Sequence, residues 1–152
     1  KIVMSSPRGG SLIGFEKAEQ QWRRTLTHEF SHAFLARYHG GRFLPRWLEE
    51  GLAEMIAEKV HPRPGAIDRA RQRARSGRSI APLFAPDAAP TAADYPVMMS
   101  LVVGLHQEDP RRFRQFVRRL KAGEAEADLL QELYGVDHAG LEKAWRAYMR
   151  RN

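Results

Sequence analysis

The chain is dominated by segments in which apolar residues recur every three or four positions, as they do along one face of an α-helix. The first segment begins at about Phe15 and stops at Gly40-Gly41. Its recurring apolar positions are Trp22, Leu26, Phe30, Ala33 and Phe34. The second begins at Pro45 and ends before Pro62, and both borders carry residues that interrupt helices. This part of the chain therefore predicts two amphipathic helices joined by a short turn.

The remainder of the chain predicts four more helices. Residues 80–94 are rich in proline and alanine and have no periodicity, so they predict a surface loop. Pro96 then opens a helix that is apolar nearly all round, which is typical of a buried central helix. Another helix starts at Asp109-Pro110 and ends at Gly123. The last two helices are predicted in "EADLLQELYG" and "DHAGLEKAWRAYMRR".

One short segment at the start of the chain departs from this helical pattern. "KIVM" (1–4) is apolar and rich in residues that favour strands, which predicts an edge strand. We therefore expect an α+β fold that is mostly α-helical, with about six helices and a reduced N-terminal β element. The length of 152 residues predicts a single domain over residues 1–152.

Composition restricts the chemistry that this chain can perform. It contains no cysteine, which excludes disulfides and thiolate metal ligands. No apolar run approaches the length of a membrane-spanning helix. The chain begins at Lys1 rather than at methionine, so we expect a processed or trimmed piece of a longer protein. Its compartment, extracytoplasmic or cytoplasmic, is not determined by the sequence.

The stretch "LTHEFSHAF" (26–34) places two histidines one helical turn apart. His28 and His32 stand at positions i and i+4, so both imidazoles can reach one metal ion from the same helix face. Glu29 is rotated by about 100° from His28. It is therefore poorly placed as a third ligand on that face, but it can lean over the ion and take a proton from water. This His-Glu-x-x-His arrangement is typical of metal-dependent peptidases.

A catalytic zinc site needs a third protein ligand, and three residues are candidates for it. His39 does not have the spacing of the extended motif that ends in a third histidine. Glu49 and Glu50 lie on the second predicted helix, and Glu50 is favoured because Glu54 follows it one turn later. Glu54 is predicted to accept the outward N–H of a liganding histidine. Spacing alone leaves the choice between Glu49 and Glu50 open.

The two motifs together resemble those of the gluzincins, which are zinc metallopeptidases of the peptidase MA-like families with a glutamate as third ligand. "LTHEFSHAF" is followed by "LPRWLEEGLAEM", and a looser likeness extends over about residues 22–148. By this resemblance, His28, His32 and Glu50 hold a Zn²⁺ ion. The resemblance also implies hydrolysis of peptide bonds with Glu29 as the general base, and it places a remnant of the family's N-terminal sheet in "KIVM" through "SLIGF".

A further catalytic role is predicted for Tyr95. The carbonyl oxygen of a peptide becomes an oxyanion when water attacks, and a second donor besides the metal usually shares that charge. Tyr95 stands where the proline-rich loop meets the apolar helix. "DYPVMM" resembles the start of the corresponding helix in aminopeptidase-like gluzincins, where a tyrosine fills this role. His106, further along the same predicted helix, is the alternative donor.

The partner that these observations predict is a peptide or protein substrate. The alternative function is a non-catalytic, peptidase-like binding module of a larger protein. Association with nucleic acid is also compatible with the net charge of +7 and with the arginine-rich runs 63–78 and 111–121. The second run, however, interleaves apolar residues at helical spacing, which is typical of an amphipathic helix with a solvated basic face. The sequence gives no indication of the oligomeric state.

Overall fold

The computed structural model describes residues 12–38 and 43–151. This part of the chain folds into seven α-helices and one short 3₁₀-helix, Ala81–Phe84. The α-helices are α1 (Leu12–Tyr38), α2 (Arg46–Val60), α3 (Ala66–Arg75), α4 (Tyr95–Glu108), α5 (Pro110–Ala122), α6 (Glu126–Tyr134) and α7 (His138–Arg151). None of these helices is both long enough and apolar enough to cross a membrane.

The predicted α+β class is wrong, because residues 12–38 and 43–151 contain helices and no strand. Most of the predicted remnant "SLIGF" belongs to α1, which already begins at Leu12. Its apolar residues continue the periodicity of that helix, and the described chain offers no neighbouring strand with which they could pair. The predicted edge strand "KIVM" (1–4) lies outside the described residues.

Helix α3 is an addition to the predicted set, because its segment was interpreted only as an arginine-rich run. It buries the alanines Ala66, Ala70 and Ala74, which recur every four residues, and it packs on α4 and α7. Alanine contributes little to a hydrophobic pattern, so this spacing was a weak signal. By contrast, the predicted limits of α5 are confirmed, since the Asp109 carboxylate accepts from the first backbone N–H groups and Gly123 ends the helix at φ 98°.

The core is built around α4, which packs on α2, α3, α5 and α7. Its closest neighbour is α2, and Gly51 makes this approach possible. A Cβ atom at position 51 would lie 2.5 Å from the Met98 carbonyl oxygen and 2.6 Å from Val102 Cγ2. Trp47 and Leu48 are also buried on this side of α2. One face of α2 is therefore fixed in the core, and the other face is available to α1.

Helix α1 packs mainly on α2, and its buried side chains are polar. Among the side chains described for residues 14–37, only Arg24 and Ser31 are buried. The opposite face carries large apolar side chains that are 60–70% exposed, namely Phe15, Trp22, Phe30 and Phe34. The apolar periodicity of α1 thus predicted the helix correctly, but the apolar face points away from the core. Lys121 Nζ of α5 also donates a 2.9 Å hydrogen bond to the Leu35 carbonyl oxygen of α1.

Candidate metal centre

Two histidines of α1 and one glutamate of α2 bring three side-chain atoms together at the interface of these helices. His28 Nε2 and His32 Nε2 lie 3.0 Å apart. Glu50 Oε2 lies 3.3 Å from the first of these nitrogens and 3.4 Å from the second. The three atoms form a nearly equilateral triangle, because successive turns of α1 stack the imidazoles above one another and α2 presents Glu50 opposite both.

The dimensions and chemistry of this triangle fit a zinc ion. Ligand atoms in a tetrahedral site with bonds of about 2.0–2.1 Å lie about 3.3–3.4 Å from one another. In the structure, Glu50 Oε2 is buried and has no hydrogen-bond partner, although an oxygen in that position normally needs one. Two imidazole nitrogens and one carboxylate oxygen form a ligand set that leaves a fourth position open for water or substrate. Among the described residues, these three side chains could therefore hold the ion.

The other nitrogen of each imidazole faces a second carboxylate of α2. His28 Nδ1 lies 3.5 Å from Glu54 Oε1, and His32 Nδ1 lies 3.6 Å from Glu49 Oε1. Both separations exceed ordinary hydrogen-bond length, so they represent electrostatic contacts. Carboxylates in this position favour the tautomer with the proton on Nδ1, which leaves Nε2 free to bind a metal. Glu54 thus faces the outward nitrogen of His28, and its role as the partner of a liganding histidine stays a prediction.

The candidates for the third ligand are therefore placed differently. Glu50 approaches both Nε2 atoms, whereas Glu49 approaches His32 from its Nδ1 side. His39 lies outside the described residues. The assignment of Glu50 as the third ligand stays a prediction. Glu49 faces Nδ1 of His32, whereas a third ligand would face the two Nε2 atoms.

The close approach of these groups shifts their pKa values in opposite directions. The close contacts with His28 first and His32 second lower the pKa of Glu50 to about 2. Contacts with Glu49 first and Glu50 second raise the pKa of His32 to about 10. Both shifts reflect the attraction between carboxylates and imidazole rings, in which each group stabilises the charged form of the other. The negative field of the carboxylates also stabilises any cation that binds between them.

Two arginines that the sequence analysis did not single out hold Glu54 in position. Arg24 lies one helical turn before His28, is buried, and is bonded through its guanidinium to Glu54 Oε2. Arg63 Nη2 donates to the same oxygen at 2.9 Å. Because both donors bind Oε2, the other oxygen of Glu54 is directed at His28. The sequence shows that Arg24 lies four residues before His28 on the same helix face. It does not show that Arg24 binds a residue of α2, because that partner is distant in sequence.

A cleft of about 930 Å³ opens beside the triangle. It is lined by His28, Glu29 and His32 of α1, by Glu49 and Glu50 of α2, and by Tyr95 of α4. Glu29 is exposed on the wall of the cleft, on the side of α1 next to the histidines. The predicted base and the predicted ligands therefore share one cavity.

Tyr95 is the first residue of α4, and its ring centroid lies 5.9 Å from that of His28. Burial, followed by the charge of Glu50, raises the pKa of the phenol above its ordinary value. The hydroxyl therefore keeps its proton at neutral pH and can donate a hydrogen bond into the cleft. His106, the alternative donor, lines a separate groove and packs edge-on against Phe113, with ring centroids 5.7 Å apart.

The far wall of the cleft contains residues that the sequence analysis did not identify. Phe43 and the segment 84–86 supply apolar surface, and Glu126 of α6 supplies a carboxylate. Glu126 accepts a 2.7 Å hydrogen bond from Trp47 Nε1. These residues are distant from the zinc motif in sequence, and no local pattern connects them with it.

Comparison with known proteins gives one match. A family model described as Peptidase MA superfamily matches residues 9–151, which is nearly the whole chain. No curated protein and no solved structure shows significant similarity. The match includes all the residues of the triangle and of the described cleft wall.

The buried bond between Arg24 and Glu54 predicts a large effect on stability. Arg24→Met should lower the free energy of unfolding of the metal-free protein by about 3 kcal/mol, because it leaves a carboxylate buried with one partner fewer. Urea denaturation in the presence of a chelator measures this change. The control is Arg23→Met, whose side chain is 64% exposed and pairs with Glu19, and it should cost less than about 1 kcal/mol. Equal effects of the two substitutions would contradict the structural role of Arg24.

Proposed function

Because the chain belongs to the Peptidase MA superfamily, we propose that it is a zinc metallopeptidase of the gluzincin type, which hydrolyses peptide bonds. The superfamily is typically metal-dependent. The observation that carries the proposal is the convergence of His28 Nε2, His32 Nε2 and Glu50 Oε2 on one point beside Glu29, in a cleft large enough for a peptide. A binding module would not require a general base in that position.

In this proposal, His28, His32 and Glu50 hold a Zn²⁺ ion, which when bound polarises the scissile carbonyl group and lowers the pKa of water towards neutrality. Glu54 and Glu49 keep the two imidazoles oriented through their Nδ1 atoms. The two arginines on Glu54 keep that carboxylate directed at His28. The protein thus prepares the site before any substrate binds.

Glu29 performs the proton transfers. Its carboxylate takes a proton from the attacking water as the water oxygen bonds to the carbonyl carbon. The same carboxyl group then returns the proton to the nitrogen of the leaving amine when the carbon–nitrogen bond breaks. Glu29 is exposed on the wall of the cleft in which a peptide would bind, so its carboxylate is accessible for these transfers.

Tyr95 is proposed to stabilise the developing oxyanion. Its protonated hydroxyl is held at the start of a helix whose following residues, from Pro96 to Leu101, are buried, so the donor is rigidly placed. A fixed donor stabilises charge more effectively than mobile water because it does not have to reorient during the reaction.

The metal assignment predicts about one zinc per chain after dialysis against metal-free buffer, measured by elemental analysis. Glu50→Ala should lose this zinc, because it removes a ligand. Glu49→Ala should retain it, and Glu54→Ala should weaken binding by about 10–100-fold, as loss of the partner of a liganding histidine usually does. Stoichiometric zinc in Glu50→Ala would assign the third ligand to another residue.

The general-base assignment predicts that Glu29→Gln keeps its zinc and its fold but loses hydrolysis of a fluorogenic peptide library by a factor of about 10²–10⁴. The matched control is Glu16→Gln, an exposed acid of the same helix, which should cleave at the wild-type rate. If Glu29→Gln also cleaves at the wild-type rate, the mechanism is wrong. If the wild-type protein cleaves no peptide, the chain is better described as a binding module.

The oxyanion role predicts that Tyr95→Phe folds normally, keeps its zinc and lowers kcat by a factor of about 10²–10³ with little change in KM. The KM is spared because the hydrogen bond forms only as charge develops on the oxygen. Tyr148→Phe removes a hydroxyl that is bonded to Gln107 outside the cleft, and it serves as the control. A loss of less than a few-fold in Tyr95→Phe would exclude this residue from the mechanism.

A further inference from the structure

The cleft has a charge opposite to that of the whole chain. The chain carries a net charge of +7. Within residues 12–38 and 43–151, the cleft, in contrast, is lined by four carboxylates, those of Glu29, Glu49, Glu50 and Glu126, by one guanidinium, that of Arg46, and by the two imidazoles of the triangle. Arg46 Nη2 lies 3.5 Å from Glu50 Oε1 and is therefore already occupied by an acid. A dication bound at the triangle would still leave the cleft with excess negative charge, which favours cationic over anionic ligands.

Glu126 is the acid of this set that the proposed mechanism does not use. It is contributed by α6, whereas the metal ligands and the base come from α1 and α2. Trp47 Nε1 donates to its Oε1 atom at 2.7 Å, and His138 Nε2 lies 2.9 Å from the same atom. The second oxygen, Oε2, has no donor within the described part of the chain. One oxygen of Glu126 is thus fixed by two side chains, and the other is open.

The neighbours of Glu126 hold it rigidly. Trp47 is 1% exposed and belongs to the core, so its N–H is a fixed donor. The ring of His138 is stacked on Phe84, with ring centroids 4.7 Å apart and planes inclined by 14°. A carboxylate held in this way loses little conformational freedom when it binds a ligand, which makes the interaction stronger than that of a mobile surface acid. Its side chain is 17% exposed, so it remains accessible from the cleft.

We propose that Glu126 determines specificity by binding a cationic group of the substrate, so that the cleft selects peptides with a positive charge close to the cleaved bond. The cation is an ammonium or guanidinium group, supplied by a lysine or arginine side chain or by a free N-terminal α-amino group. Charge-assisted hydrogen bonds of this type are the strongest that a carboxylate forms. The inference rests on the proposed peptidase function and specifies its substrate class.

The test compares fluorogenic peptides that differ at one position, with lysine replaced by norleucine, which has a similar length and no charge. The zinc-loaded wild-type protein should cleave peptides that offer the cation with a kcat/KM about tenfold higher, namely lysine over norleucine peptides if a side chain supplies it, or free over acetylated N-termini if the α-amino group does. Glu126→Gln should abolish this preference, measured as the ratio of the two kcat/KM values, and should still fold, because the amide keeps an oxygen that can accept from Trp47. Asp128→Asn, which removes an exposed acid of the same helix, should retain the preference. The same peptides with an acetylated N-terminus show whether the cation is the α-amino group or a side chain.

Binding of the same peptides to the metal-free protein, measured by fluorescence anisotropy, gives a second readout that does not need activity. Cleavage without a preference for a cation, or a preference that survives in Glu126→Gln, would overturn the assignment of Glu126 and leave the peptidase function intact. If no peptide is cleaved, the proposed function fails. The binding comparison between lysine and norleucine peptides then decides the role of Glu126 by itself.

Discussion

The buried bond between Arg24 and Glu54 is the interaction on which the position of α1 depends. Helix α1 carries both histidines of the triangle, yet its buried side chains, among those described, are polar. Its large apolar side chains Phe15, Trp22, Phe30 and Phe34 are 60–70% exposed and contribute little to packing on the core. The attachment of α1 therefore relies on a charged pair in a low-dielectric interface, where geometry is strict and removal of one partner is costly. The same pair orients the Glu54 carboxylate next to His28 Nδ1. Arg24 therefore contributes both to the stability of the interface and to the geometry of the site.

Helix α2 provides the rigid side of this arrangement. Gly51 allows it to approach α4 so closely that a side chain at this position would collide with the Met98 carbonyl group. On the opposite side of the same turn, Glu50 and Glu54 face α1. A helix fixed in the core on one face holds its acids accurately on the other, which is what an ion with short, directional bonds requires. The carboxylates of α2 and the imidazoles of α1 are thus set by packing rather than by loops.

The sequence predicted what depends on local periodicity and failed where distant residues decide. The spacing of His28 and His32, the placement of Glu50 and Glu54 on the next helix, and the limits of α5 follow from helical geometry and from the proline and glycine signals. The α+β class was wrong because the described residues contain no strand, and most of "SLIGF", which was interpreted as part of a sheet remnant, belongs to α1. Arg24 and Glu126 were missed because their partners lie 30 and 79 residues away, where no repeat connects them. The exposed apolar face of α1 shows that periodicity identifies a helix without identifying which face is buried.

Anomalous X-ray diffraction at the zinc absorption edge, from crystals of the zinc-loaded protein, tests the central claim most directly, because it locates the ion independently of activity. The account predicts one strong peak per chain, at about 2.0–2.2 Å from His28 Nε2, His32 Nε2 and Glu50 Oε2. A peak coordinated by other side chains, or no peak between α1 and α2, would contradict it.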